Sequence, residues 1–217
     1  MILFDLAMQE EYRKNDVVLE LLSDDDTFTS HRWLLDSLPR RMIYQYMYGD
    51  LIHASRRRIL DVGGGYCSLS RLLSQRHDYT LLDIMAHDDR RVPLGEAWVN
   101  SDWYRFDVVD SYDLVIANDL FPNVDQRLEL FVEKFLPSCR QMRLSLTYYN
   151  HPRFYHAKRL DADEVFCVLA WNGAQLRSVL EKYAVSNLGL LLENPPSLFP
   201  NGRQVCMIEL QGGICAS

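Results

Sequence analysis

The chain has 217 residues, a formal net charge of −7 and 48% hydrophobic residues. That length suits one domain with an appended cap, and the acidic balance argues against a broad nucleic-acid surface, which needs clustered Lys and Arg. No apolar run approaches the roughly 18 residues of a membrane helix, and five scattered cysteines without a C-x-x-C pair argue against a zinc or disulfide framework and for a reducing cytoplasm.

The opening stretch, Met1 to Glu11, lacks a basic leader and carries acids, so a signal peptide is not expected. Asp24, Asp25 and Asp26 read as a solvated run. Residues 29–53 read as helix, with Leu34, Leu38, Met42 and Tyr46 on one apolar stripe. Pro39 must kink this segment or open a second helix, because it lacks the helical N–H. Tyr44, Tyr46 and Tyr48 point to different sides of a helix, and Tyr46 is the one expected in the core. Residues 1–55 thus form an N-terminal helical cap, whose tyrosine-rich part suits a lid or the interface of a homodimer. Residues 56–217 form the main domain.

Ile59 to Val62 is an apolar strand that carries an acid, Asp61, and runs into Gly63, Gly64 and Gly65. Ser68 to Gln75 is an amphipathic helix, and Tyr79 to Asp83 is a second strand ending at an acid. A short link between such strands fits a parallel pair with a right-handed crossover. Residues 85–97, broken by Pro93 and Gly95, read as loop with a short helix. Val99 to Ser101 is a brief third strand that ends at Asp102 and Trp103. Tyr112 to Ala117 is a fourth strand, leading into Asn118 and Asp119. A helix over about Val124 to Leu136 and a strand over Gln141 to Tyr149 follow.

Residues 148–172 interrupt the alternation and shape the far end of the site. They hold His151, Arg153, His156, Lys158 and Arg159 beside Asp161, Asp163 and Glu164. Asn172 caps a helix that runs to Tyr183. Val185 to Leu192 and Gln204 to Leu210 read as a closing antiparallel hairpin. The whole is an α/β three-layer domain, a Rossmann-like and mostly parallel sheet with a C-terminal antiparallel hairpin. Ligands in such sheets sit beyond the carboxyl ends of the strands. The loops beginning at Asp61, Asp83, Asp102 and Asn118 are therefore the ones that matter.

The glycine turn does not complete the dinucleotide fingerprint G-x-G-x-x-G, since the third position falls on Ser68. An acid two residues before the glycines disfavours a pyrophosphate and favours a ligand with a cationic centre. Asp83 can accept two hydrogen bonds from a ribose diol. Asp102 can accept from an exocyclic amine, and Trp103 offers a flat face to adenine.

Ile59 to Gly65, Leu81-Leu82-Asp83, Ser101-Asp102-Trp103 and Tyr112 to Asn118 together resemble the class I S-adenosylmethionine-dependent methyltransferases, small-molecule type, over about residues 56–140. The resemblance implies a seven-stranded sheet with an antiparallel last strand and S-adenosylmethionine as cofactor. It implies that Asp61, Gly63, Gly64 and Gly65 border the methionine part, that Asp83 holds the ribose and that Ile84 packs on adenine. It places Asp102 at the adenine amino group and Asn118 at the methyl end. The Asn/Asp-Pro-Pro-Tyr signature of nucleic-acid amino methyltransferases is absent, since this chain reads Asn118-Asp119-Leu120-Phe121.

Methyl transfer to a hydroxyl needs alignment and a base. The candidates for the base are Asp119, beside the fourth strand, and His151 and His156, in the segment after the fifth. Arg153, Lys158 and Arg159 offer a hold on an anionic acceptor, or pair with the neighbouring acids. No ligand spacing supports a metal. The leading expectation is a small-molecule methyltransferase acting on a hydroxyl of a sugar-like or secondary metabolite. The alternatives are an amine N-methyltransferase, a nicotinamide oxidoreductase and an inactive methyltransferase-like binding protein.

Overall fold

The computed structural model describes residues 1–22, 28–84, 94–159, 164–193 and 195–214. The acidic run at 24–26, most of the 85–97 segment and the acids at 161 and 163 lie outside them. The N-terminal part comprises β1 (Ile2–Leu3) and four helices: α1 (Leu6–Tyr12), α2 (Val17–Leu21), α3 (Thr29–Leu35) and α4 (Leu38–Tyr48). Pro39 sits in the first turn of α4, where its missing N–H costs nothing. It opens a second helix and does not kink a single one.

The central strands are β2 (Arg58–Val62), β3 (Asp78–Leu82), β4 (Trp98–Val99), β5 (Tyr112–Phe121) and β6 (Cys139–Tyr149), with α5 (Ser68–Arg76) and α6 (Leu128–Phe135) between them. After them come β7 (Arg153–Arg159), β8 (Glu164–Ala170), α7 (Gly173–Leu180) and β9 (Arg203–Gln211). Seven strands form one sheet in the order β1-β9-β6-β5-β2-β3-β4, and β7 and β8 form a separate pair. Strands β4, β3, β2, β5 and β6 run parallel. Strand β9 is antiparallel to both of its neighbours, β6 and β1.

Period-two alternation puts helices on both faces. Leu60, Val62, Val115, Ala117, Met142, Leu144 and Ile208 face a core shared with Phe131 and Phe135 of α6 and Leu176 and Leu180 of α7. Ile59, Leu114, Ile116 and Met207 face the other core, with Met42, Met47 and Tyr48 of α4 and Leu73 of α5. The expectation of a three-layer α/β sheet holds.

Several local expectations change. The antiparallel hairpin in the C-terminal part is β7-β8, not 185–192 with 204–210. Leu188–Leu192 instead form a 3-10 turn packed by Leu191 into the core, and β9 pairs with β6. Tyr46, expected inside, is 40% exposed, while Tyr48 is buried. The α4 face toward the sheet runs through Met42, Ile43, Met47 and Tyr48, so the predicted stripe is rotated. The helix after β5 begins at Leu128, because Asp125 folds back on the backbone N–H of Arg127 at 2.8 Å and holds the preceding residues as a turn. Asn172 does cap α7, in a reciprocal pairing with Gln175.

Arg143 fastens the cap to the sheet. Buried on β6, it donates to Asp50 at 2.7 and 3.1 Å, to Glu209 at 2.9 Å and to the Met47 carbonyl at 2.6 Å. No helix among the described residues is long and apolar enough to cross a membrane.

Candidate cofactor and acceptor cavity

A cavity of about 520 Å³ opens at the carboxyl ends of the parallel strands. The turn after β2 supplies Gly63, Gly64 and Gly65, the end of β3 supplies Asp83 and Ile84, and the loop after β4 supplies Ser101, Asp102 and Trp103. The end of β5 supplies Asn118, Asp119 and Leu120. All four strand-end loops named by the sequence meet here, as the ligand rule for open α/β sheets requires. Helices α3 and α4 close the opposite wall with Ser30, Trp33, Arg40, Ile43 and Tyr44.

The turn is tight. Gly65 has φ +66°, and a Cβ there would stand 2.0 Å from Ser30 Oγ. A Cβ on Gly64 would stand 2.4 Å from Asp61 Oδ1. Only glycine lets backbone approach both the cap and the acid behind it. The Gly65 N–H donates to Asp83 Oδ2 at 2.9 Å, and Tyr44 reaches from the cap to donate to the Gly64 carbonyl at 3.1 Å.

Asp61 corrects one part of the sequence argument. It does not line the cavity. It is 2% exposed, behind the turn, and accepts from Tyr48 at 3.2 Å and Tyr79 at 2.8 Å. Burial pushes its pKa up to about 7, against the two tyrosine donors. It therefore supports the turn from below and is no fixed negative charge on the wall.

Trp103 also differs from expectation. Its ring packs edge-on against Phe121 and Phe131, its indole N–H donates to Asp125 at 2.8 Å, and Arg127 lies over it at 4.7 Å. It reaches the wall but offers no open flat face. Ile84, by contrast, is exposed at the mouth. Asp102 accepts from the Tyr104 N–H at 2.8 Å and lies 3.7 Å from Arg127.

Strand β5 leaves regular pairing between Asn118 and Phe121, and Asp119 there has φ +57°. Irregularities of this kind re-aim side chains at the end of a strand. Asn118 is buried and accepts from Ser145 at 2.5 Å, while its Nδ2 has no partner among the described residues. Asp119 Oδ1 accepts from Asn123, Thr147 and Arg203, whereas Oδ2 accepts from Arg203 alone among the described residues.

The structure does not bring His151 or His156 to this cavity. Both are exposed and neither lines the wall. The reason is that β7, which carries His156 and begins just after His151, pairs antiparallel with β8 in a sheet separate from the seven-stranded one. Arg153, Lys158 and Arg159 lie in β7, and their side chains fall outside the described set.

Tyr44, one of the three tyrosines marked in the sequence, lines the wall, and so do Arg40, Ser145, Arg127 and Arg203, which were not singled out from it. Arg203 and Ser145 had a readable signal, as polar residues on otherwise apolar strands. The others had none. Among the described residues no group of three His, Cys, Asp or Glu stands close enough to hold a metal.

The sequence matches no family model and no curated protein. Solved structures do resemble it. DhpI in complex with SAH is 17% identical over 95% of this chain and 96% of that chain, at a TM-score of 0.51. The N-terminal domain of EvdMO1 with SAH and D-fucose is 13% identical over 94% and 97%, at 0.44. The Burkholderia thailandensis 1,6-didemethyltoxoflavin-N1-methyltransferase, with 1,6-didemethyltoxoflavin and S-adenosylhomocysteine, is 13% identical over 88% and 93%, at 0.42. The fold assignment rests on the first of these and on the strand order: this chain has the fold of the class I S-adenosylmethionine-dependent methyltransferases.

Proposed function

We propose that the protein is a methyltransferase that uses S-adenosylmethionine and methylates a hydroxyl of a small molecule. The observation that carries this reading is the convergence of Gly63–Gly65, Asp83, Asp102 and Asn118 on one cavity of suitable size. The bare glycine turn, packed against Asp61 behind and Ser30 of the cap, and an amide at Asn118 without a partner among the described residues fit a ligand that lies against the backbone of the turn.

When bound, the cofactor supplies a methyl carbon already activated by a sulfonium. In this reading Gly63 to Gly65 hold its amino-acid end, Asp83 accepts from the ribose hydroxyls, and Ile84 and Asp102 hold the adenine. Tyr44 keeps the cap against the turn and excludes water from that end.

Asp119 stands in the half of the cavity under the cap. Arg203, Thr147 and Asn123 fix its rotamer, and its Oδ2 retains capacity for one more hydrogen bond. Asp119 Oδ2 is thus the group positioned to accept the proton of an acceptor hydroxyl. It takes over the role for which the two histidines also stood as candidates. The nicotinamide reading loses ground to Ser68 and to three carboxylates around the mouth, Asp83, Asp102 and Asp125.

The test is release of S-adenosylhomocysteine from S-adenosylmethionine across a panel of hydroxylated and amine acceptors. Turnover with hydroxylated compounds is the expected result. Turnover with amines alone, or none with any compound, would count against it.

A further inference from the structure

The cavity has two halves of different charge. Around the mouth, the described residues are three acids, Asp83, Asp102 and Asp125, and Arg127, which Asp125 engages. Under the cap the balance reverses. Among the described residues, Arg40 and Arg203 share that half with one carboxylate, Asp119, which Arg203 engages through both oxygens at 2.9 and 2.8 Å.

Arg40 is therefore the cation left over. It lies against Trp33, with its guanidinium carbon 5.0 Å from the ring centre, and has no hydrogen-bond or ion-pair partner among the described residues. Burial holds its pKa below the usual arginine range, with Asp119 partly opposing this, which marks a cation poorly served by water. A further donor on this wall is unsatisfied: Arg203 Nε is buried and without a partner among the described residues. Arg203 is 4% exposed and cannot turn away to solvent.

Buried donors without acceptors are costly, and guanidinium groups are matched in geometry to carboxylate and phosphate. We propose that the acceptor is a small oxyanion, a hydroxylated molecule whose carboxylate or phosphate is held by Arg40 together with Arg203. The pairing leaves Asp119 facing the hydroxyl and the anion fixed at the cap side. A neutral polyol would leave Arg40 unanswered. This inference rests on the methyltransferase reading only in naming the ligand an acceptor.

The test is calorimetric titration of the protein loaded with S-adenosylhomocysteine, using matched probes: glycerol 3-phosphate against glycerol, and galacturonate against galactose. The charged member of each pair should bind at least about tenfold more tightly. Arg40→Gln should remove that preference, Arg40→Lys should keep part of it, and both variants should bind S-adenosylhomocysteine as the parent does. Equal binding of charged and neutral probes, no binding of either charged probe, or an undiminished preference in Arg40→Gln would overturn the proposal. Failure of S-adenosylhomocysteine itself to bind, measured first, would instead sink the methyltransferase reading. The same anion titrations on the unloaded protein would then still judge the arginine site.

Discussion

At the scale of single residues, Asp61 and Asp83 divide the work that the sequence assigned to both. Asp83 is on the wall and also orders the turn through Gly65. Asp83→Ala should weaken S-adenosylhomocysteine binding by about 1–3 kcal/mol, the range for a hydrogen bond to a charged group. Calorimetry checks this, and an unchanged affinity would show that the acid does not hold the ribose. Asp61 acts through stability instead. Its folded pKa of about 7 lies above the unfolded value of about 3.9. Between those values the unfolded chain loses the proton and the folded chain keeps it. Stability from this group therefore falls as pH rises from about 4 to about 7 and is level above that. Urea unfolding of the parent and of Asp61→Asn at about pH 5 and about pH 7.5 isolates the effect, because other groups cancel. The parent should lose about 2–3 kcal/mol more than the variant over that interval. Parallel profiles would mean that Asp61 is ionised in the fold.

At the scale of elements, the edge of the sheet is closed by the N-terminus. Strand β1 lies on β9 in antiparallel register, Ile2 opposite Met207 and Leu3 opposite Cys206. Phe4 follows, fully buried, with its N–H donating to the Val205 carbonyl at 3.1 Å and its ring 5.3 Å from Tyr46. Phe4→Ala should cost about 3–5 kcal/mol of unfolding free energy, the range for emptying a core aromatic site. A change in the urea midpoint too small for that would show that β1 is a loose end. No sequence pattern could reveal this strand, since two residues carry no period. The long strands were legible because β2, β5 and β6 alternate between two cores. The hairpin was misplaced for the same reason: Leu188 to Leu192 is apolar and strand-like in composition, yet it folds as a 3-10 turn under α7. The start of α6 was missed because Asp125 is spent on holding Trp103 and Arg127.

At the scale of the whole molecule, the sheet brings four strand-end loops to one place, and that part of the site could be read in advance from acids and amides at strand ends. In the half under the cap Asp119 was legible as a strand-end acid, but its arginines were not singled out. Arg40 and Arg203 are far apart in the chain, and neither belongs to a motif. Arg203 arrives there because β9 enters the sheet antiparallel, so its first residue stands opposite Tyr149 at the end of β6 and its side chain reaches Asp119 of β5. The two histidines looked more promising because they are close in sequence to the end of β6, yet the hairpin carries them off the wall. Charge is segregated accordingly among the described residues, with acids around the mouth and arginines at the cap.

The proposed function requires this cavity to take a sulfonium-derived nucleoside and not a dinucleotide. Calorimetric titration of the purified protein with S-adenosylhomocysteine and, separately, with NAD tests it most directly. Saturable one-to-one binding of S-adenosylhomocysteine and no binding of NAD are expected. Saturable binding of NAD with no response to S-adenosylhomocysteine would contradict it.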